Sequence, residues 1–115
     1  MHEASIALSI LDAVIGQCRK EGFVVIQSVR IMIGKAAGIL PDALVFAFDV
    51  AKAGTIANNA ELLIELVRIG GDCRGCGQDF EIDDSRFVYE CPRCGSSSIK
   101  VNRGYEMQII DMEVD

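Results

Sequence analysis

The sequence predicts an α+β fold: a small two-layer domain with two helices on a three-stranded sheet, plus an insert that carries four of the five cysteines. Three observations lead there. Apolar residues recur at helical spacing in two stretches. They alternate with a period of two in three others, the signature of half-buried strands. Residues 71–103 abandon both patterns for Cys, Gly, Ser and Asp. With 115 residues, 50% of them hydrophobic, the chain can bury one core of domain size.

The first helix is expected from Ser5 to about Glu21. Ala7, Ile10, Leu11, Val14 and Cys18 recur at steps of three and four, while Ser9, Asp12, Gly16, Arg19 and Lys20 gather opposite. Gly22 is a natural C-terminal stop. Cys18 falls on the apolar stripe and is read as a small core residue. From Phe23 to Ile33 the period becomes two, with Val29, Ile31 and Ile33 on one side and Ser28, Arg30 and Met32 on the other. Residues 34–38 form a loop. A phosphate-binding loop ending at Lys35 would need Gly at 29 and Ser or Thr at 36, where the chain has Val29 and Ala36, so a nucleotide site is rejected.

Pro41 and Asp42 open the second helix, proline in the first turn and an acid at the positive dipole end. It passes Leu44, Val45, Phe48 and Ala51 and stops at Gly54. After a polar turn at 55–59, Leu62, Ile64 and Leu66 alternate with Glu61 and Glu65 as a second strand. Gly70-Gly71 reads as a break and as the main internal boundary. Tyr105 to Val114 is a third strand whose apolar parity changes near Ile109-Ile110, where a β-bulge is expected.

The net charge is −6, and residues 105–115 hold four acids and no base. The acidity is therefore largely a property of the last strand, read as a solvated face. An acidic chain without a cationic stripe argues against nucleic acid as a partner. No stretch is long and apolar enough to span a membrane, and no export signal precedes His2 and Glu3, so the reducing cytoplasm is the expected compartment. Cysteine pairs there read as metal ligands before disulfides.

Cys73-Arg74-Gly75-Cys76-Gly77 and Cys91-Pro92-Arg93-Cys94-Gly95 are two C-x-x-C-G knuckles. Each can aim two thiolates at one ion, and the glycine after the second Cys permits the positive φ of a tight turn. Four thiolates in a tetrahedron are the arrangement of structural zinc, making the insert zinc-ribbon-like. They leave no open position for a water, which argues against a hydrolytic metal. The pattern is also similar to rubredoxin, an iron-bearing electron carrier, since softness and geometry suit both ions. A zinc-ribbon module that only binds other proteins is a further reading.

At the other end, Met1-His2-Glu3 can chelate. The α-amine of Met1, the deprotonated amide nitrogen of His2 and one imidazole nitrogen close two rings around an ion, and Glu3 can add a donor. Nitrogen-rich square-planar sites suit Ni(II) or Cu(II). Together with the first helix, Pro41-Asp42, the late cysteine quartet and Gly104-Tyr105-Glu106-Met107, this resembles the HypA/HybF family of hydrogenase-maturation nickel metallochaperones over essentially the whole chain. The resemblance implies weakly held nickel at Met1, His2 and Glu3 and structural zinc at Cys73, Cys76, Cys91 and Cys94. It implies delivery to the [NiFe]-hydrogenase large subunit with the GTPase HypB. Asp42 sits where some members have an acid proposed to assist nickel, but its helix position explains it equally well. The expected organisation is a nickel-binding domain of residues 1–70 and 104–115 and a zinc-binding module of residues 71–103. No nucleophile pair is evident, so the chain reads as a carrier and not an enzyme.

Overall fold

The computed structural model describes residues 2–82 and 89–115. Helix α1 spans Glu3–Glu21, starting two residues earlier than the apolar pattern, with His2 as its N-cap. The first ladder bond runs from the Ile6 amide to the His2 carbonyl at 3.1 Å. Its buried stripe is Ile6, Ala7, Ile10, Leu11, Val14 and Cys18, and Gly22 (φ 80°) ends it as expected.

Strand β1 spans Ile26–Gly34, and Val29, Ile31 and Ile33 are fully buried while Arg30 is exposed. Its start lies three residues later than expected. Phe23, Val24 and Val25 are exposed, and the amides of Val24 and Val25 both donate to the Asp115 carbonyl. Helix α2 spans Pro41–Ala51 and buries Leu44 and Phe48. Strand β2 spans Glu61–Val67, with Leu62 buried and Leu66 turned to solvent.

Three strands lie where the sequence pattern predicts none. Gly70-Gly71 does not break the chain but lies inside strand β3, Ile69–Cys73, which pairs antiparallel with β4, Asp79–Ile82, and with β5, Ile99–Arg103. The glycines are there because the neighbours come close. A Cβ on Gly71 would run into the Lys100 carbonyl oxygen, and one on Gly70 into the Arg103 guanidinium. The ladder also shifts register between them. Strand β6, Met107–Val114, is half-buried at Ile109, Met112 and Val114, so its inward parity changes between 109 and 112.

The strands form two three-stranded sheets, in the orders β2-β1-β6 and β4-β3-β5. By contacts the chain divides into two compact units. One comprises Met1–Met32, Ile39–Glu65 and Gln108–Asp115; the other comprises Ile33–Gly38 and Leu66–Met107. In the first, α1 packs on α2, and the Cys18 thiol lies 3.8 Å from the Met112 sulfur. The Arg30 side chain pairs with Asp111 between the central and last strands. In the second, Cys73, Phe80 and Cys91 form a small core with Ile82, Ile99 and Val101 around it.

Candidate metal centre

The two knuckles are built alike. In the first, the Cys73 amide donates to the Gln78 carbonyl (2.9 Å) and the Gly77 amide to the Cys73 carbonyl (2.9 Å). In the second, the Cys91 amide donates to the Ser96 carbonyl and the Gly95 amide to the Cys91 carbonyl, both at 2.8 Å. Both turns close through a left-handed glycine, Gly77 at φ 73° and Gly95 at φ 76°. A side chain there would strain the backbone, which is why each knuckle ends in glycine.

This doubled turn brings together all four cysteines that the spacing selects. Their sulfurs lie within 4.8 Å of one another, with Cys73 to Cys94 at 3.6 Å and Cys76 to Cys91 at 3.8 Å. A tetrahedron with metal–sulfur bonds of about 2.3 Å has sulfur–sulfur edges of about 3.8 Å. Two edges have that length and all four sulfurs converge, so the donor set suits a tetrathiolate ion. Cys73 and Cys91 are buried with Phe80, while Cys76 and Cys94 are exposed residues whose sulfurs turn in to the cluster. The Cys76 amide points at the Cys73 sulfur (3.4 Å), as an N–H does that stabilises a thiolate.

At the other end, Met1 lies outside the described residues. His2 is exposed, Glu3 is half-buried in the first turn of α1, and Asp42 is exposed in the first turn of α2. Among the described residues, no group of three or more His, Cys, Asp or Glu side chains converges apart from the cysteine quartet.

The family model for "Hydrogenase/urease nickel incorporation, metallochaperone, hypA" matches residues 1–114. The chain belongs to the HypA family. The hydrogenase maturation factor HypA of Chlorobium luteolum is 45% identical over 116 residues, covering 100% of this chain and 97% of that one. Its counterpart in Streptomyces avermitilis is 34% identical and covers 97% and 86%. The solution structure of the Ni metallochaperone HypA from Helicobacter pylori shares the fold, with TM-score 0.68 at 23% identity, and covers 99% of this chain and 97% of that one.

In this chain the cysteine quartet fits a structural zinc site, and its thiols are electrostatically unequal. The Cys76 amide, opposed by desolvation and helped by the Cys94 thiol, pulls Cys73 down to about 7. For Cys94 the Ser96 amide pulls down, but the hydrogen bond shared with Cys73, desolvation and contacts with Cys91 and Cys76 outweigh it and push it up to about 12. A divalent ion that displaces both protons removes the asymmetry.

Sequence reasoning missed the second sheet and the part Arg103 plays in it. Its guanidinium lies over Gly70 and donates to the Phe80 carbonyl at 3.1 Å, tying β5 to β4 across β3. The signal was available in Gly70, a strand glycine marking a close approach.

Proposed function

We propose that this HypA-family chain carries Ni(II) on its first three residues and keeps zinc as a fixed structural ion. The donors are the Met1 amine, the His2 amide and imidazole, and Glu3. Cys73, Cys76, Cys91 and Cys94 hold the zinc, which supplies cross-linking and no open coordination position. Residues 71–103 act as the zinc-binding module, and residues 1–70 with 104–115 as the nickel-binding domain. The chain is a carrier and not an enzyme. It delivers to the [NiFe]-hydrogenase large subunit together with a HypB-type GTPase, in the cytoplasm. Among the described residues no helix is long and apolar enough to cross a membrane.

The observation that supports the nickel reading most is the position of His2. It is the N-cap of α1, its side chain makes no capping bond, and the ladder begins only with Ile6. The amides of His2 and Glu3 are thus among the N–H groups for which a helix supplies no partner. Their nitrogens can exchange a proton for a metal without breaking a ladder bond. The positive end of the helix dipole weakens the hold on a cation, which suits an ion that must be handed on.

Calorimetric titration of untagged protein with Ni(II) is the test. One ion per chain is expected, and it should be lost both in His2→Ala and when residues are added ahead of Met1, with zinc content unchanged. Undiminished nickel binding by the extended protein refutes the N-terminal assignment.

A further inference from the structure

The geometry points to a peroxide-sensitive cross-link in the cysteine quartet: the thiols oxidise between knuckles, Cys73 with Cys94 and Cys76 with Cys91, instead of within each C-x-x-C. Within the quartet, the two sulfur–sulfur contacts with hydrogen-bond geometry both run across, at 3.6 and 3.8 Å. A disulfide of about 2.0 Å needs each pair to close by under 2 Å. Each contact also joins a buried residue to an exposed one: Cys73 and Cys91 are 2% exposed, whereas Cys76 and Cys94 are exposed residues. Within a knuckle, by contrast, the turn is already closed by its own amide bonds, from Gly77 to Cys73 and from Gly95 to Cys91.

Exposure sets the order of events. Hydrogen peroxide meets Cys76 or Cys94 first. The thiolate sulfur attacks one peroxide oxygen, the O–O bond breaks, hydroxide leaves, and the cysteine is oxidised to a sulfenic acid. The facing buried thiolate then attacks that sulfur, the S–O bond breaks, a second hydroxide leaves, and the disulfide forms. Two protons convert the hydroxides to water. Each pair gives two electrons to one peroxide, so the quartet consumes two. With its thiolates gone, an ion held there has no ligands and leaves. The two disulfides are nested and hold the knuckles together, so a thiol reductant can restore the site. Cys18 stands apart, fully buried on α1 beside Met112.

The pairing rests on the thiol geometry alone, and only the release of metal rests on the zinc reading. The test treats untagged, zinc-loaded full-length protein with hydrogen peroxide. Zinc release is followed with a chromogenic chelator, and disulfides are mapped by mass spectrometry after non-reducing digestion. Expected are one zinc released per two peroxides consumed, Cys73–Cys94 and Cys76–Cys91 peptides, an unmodified Cys18, and recovery of zinc binding after reduction. In Cys94→Ser only the Cys76–Cys91 cross-link should form. Pairs within a knuckle, cross-links between chains, or sulfinic acids as the main product overturn the proposal. Protein isolated without zinc would sink the zinc reading, while the same mapping would still decide the pairing.

Discussion

Replacing Gly71 by alanine tests whether the approach of β5 to β3 holds the metal site in shape. The added methyl would collide with the Lys100 carbonyl oxygen, well inside the 3.0 Å that real Cβ contacts respect, and its obstacle is backbone that no rotamer change can move. Strands β3 and β5 must part by about 1 Å or more. That carries the N–H···O bonds around the Gly71–Val101 and Asp72–Lys100 pairs beyond useful length. Two or three bonds at about 1 kcal/mol each, with some strain, give a cost of about 2–4 kcal/mol. Cys73 sits two residues further along β3, paired with Ile99, so the displacement reaches the first ligand. Where folding of the site and zinc binding are one equilibrium, the apparent zinc affinity falls roughly thirty-fold to several hundred-fold. Competition against a chromogenic chelator measures it. Gly16→Ala is the control: a Cβ there meets nothing within 4 Å in a helix interior, so about 0.5–1 kcal/mol of stabilisation and unchanged zinc affinity are expected. A Gly71→Ala protein that holds zinc as tightly as the parent refutes the reasoning.

Three other outcomes are expected. Burial first, and Glu21 second, push the Cys18 thiol above its ordinary value of 9.0. The fold therefore favours the protonated thiol, and its contribution is complete below about pH 9 and lost as pH rises towards the folded-state value. Thermal unfolding from pH 8 to 10.5 should show a steeper alkaline loss in the parent than in Cys18→Ala; equal slopes would remove Cys18 from the account. Lys52 donates to the Ala60 carbonyl (2.8 Å) and pairs with Asp49 (2.9 Å), so Lys52→Met should cost about 1–2 kcal/mol in denaturant unfolding by leaving that carbonyl unpaired. Purified protein should be colourless and contain one zinc per chain by elemental analysis, whereas a red protein containing iron would favour the rubredoxin-like reading.

The parts legible in the sequence are those in which hydrophobic burial sets the pattern. The stripe from Ala7 to Cys18 and the alternation of Val29, Ile31 and Ile33 predicted α1 and β1 because those residues are the core. The knuckles were legible for a different reason, since metal ligation fixes residue type and spacing directly. The second sheet left neither trace. Ile69-Gly70-Gly71-Asp72-Cys73 reads as a breaker, because its glycines reflect close backbone approach and not flexibility. Strand β4 has four residues, too few for a period. Leu66 shows the limit of alternation: it fits the inward pattern of β2 and yet is exposed. His2 carries no burial pattern, and only coordination chemistry and the family resemblance single it out.

The division of the chain bears on the order in which it can be made. Residues 33–38 belong with 66–107, and residues 108–115 with the first unit, so the polypeptide crosses between units four times. Within the second unit, the Lys35 amide waits for the Val67 carbonyl and the Ala36 amide for that of Gly104. Within the first, the Val24 and Val25 amides wait for Asp115, and the Cys18 thiol for Met112. Domains strung in series fold one after another as they leave the ribosome. Here neither unit can close on a nascent chain until residues beyond 103 have emerged, so the helix that begins at Glu3 and the cysteine knuckles wait for the same late segment.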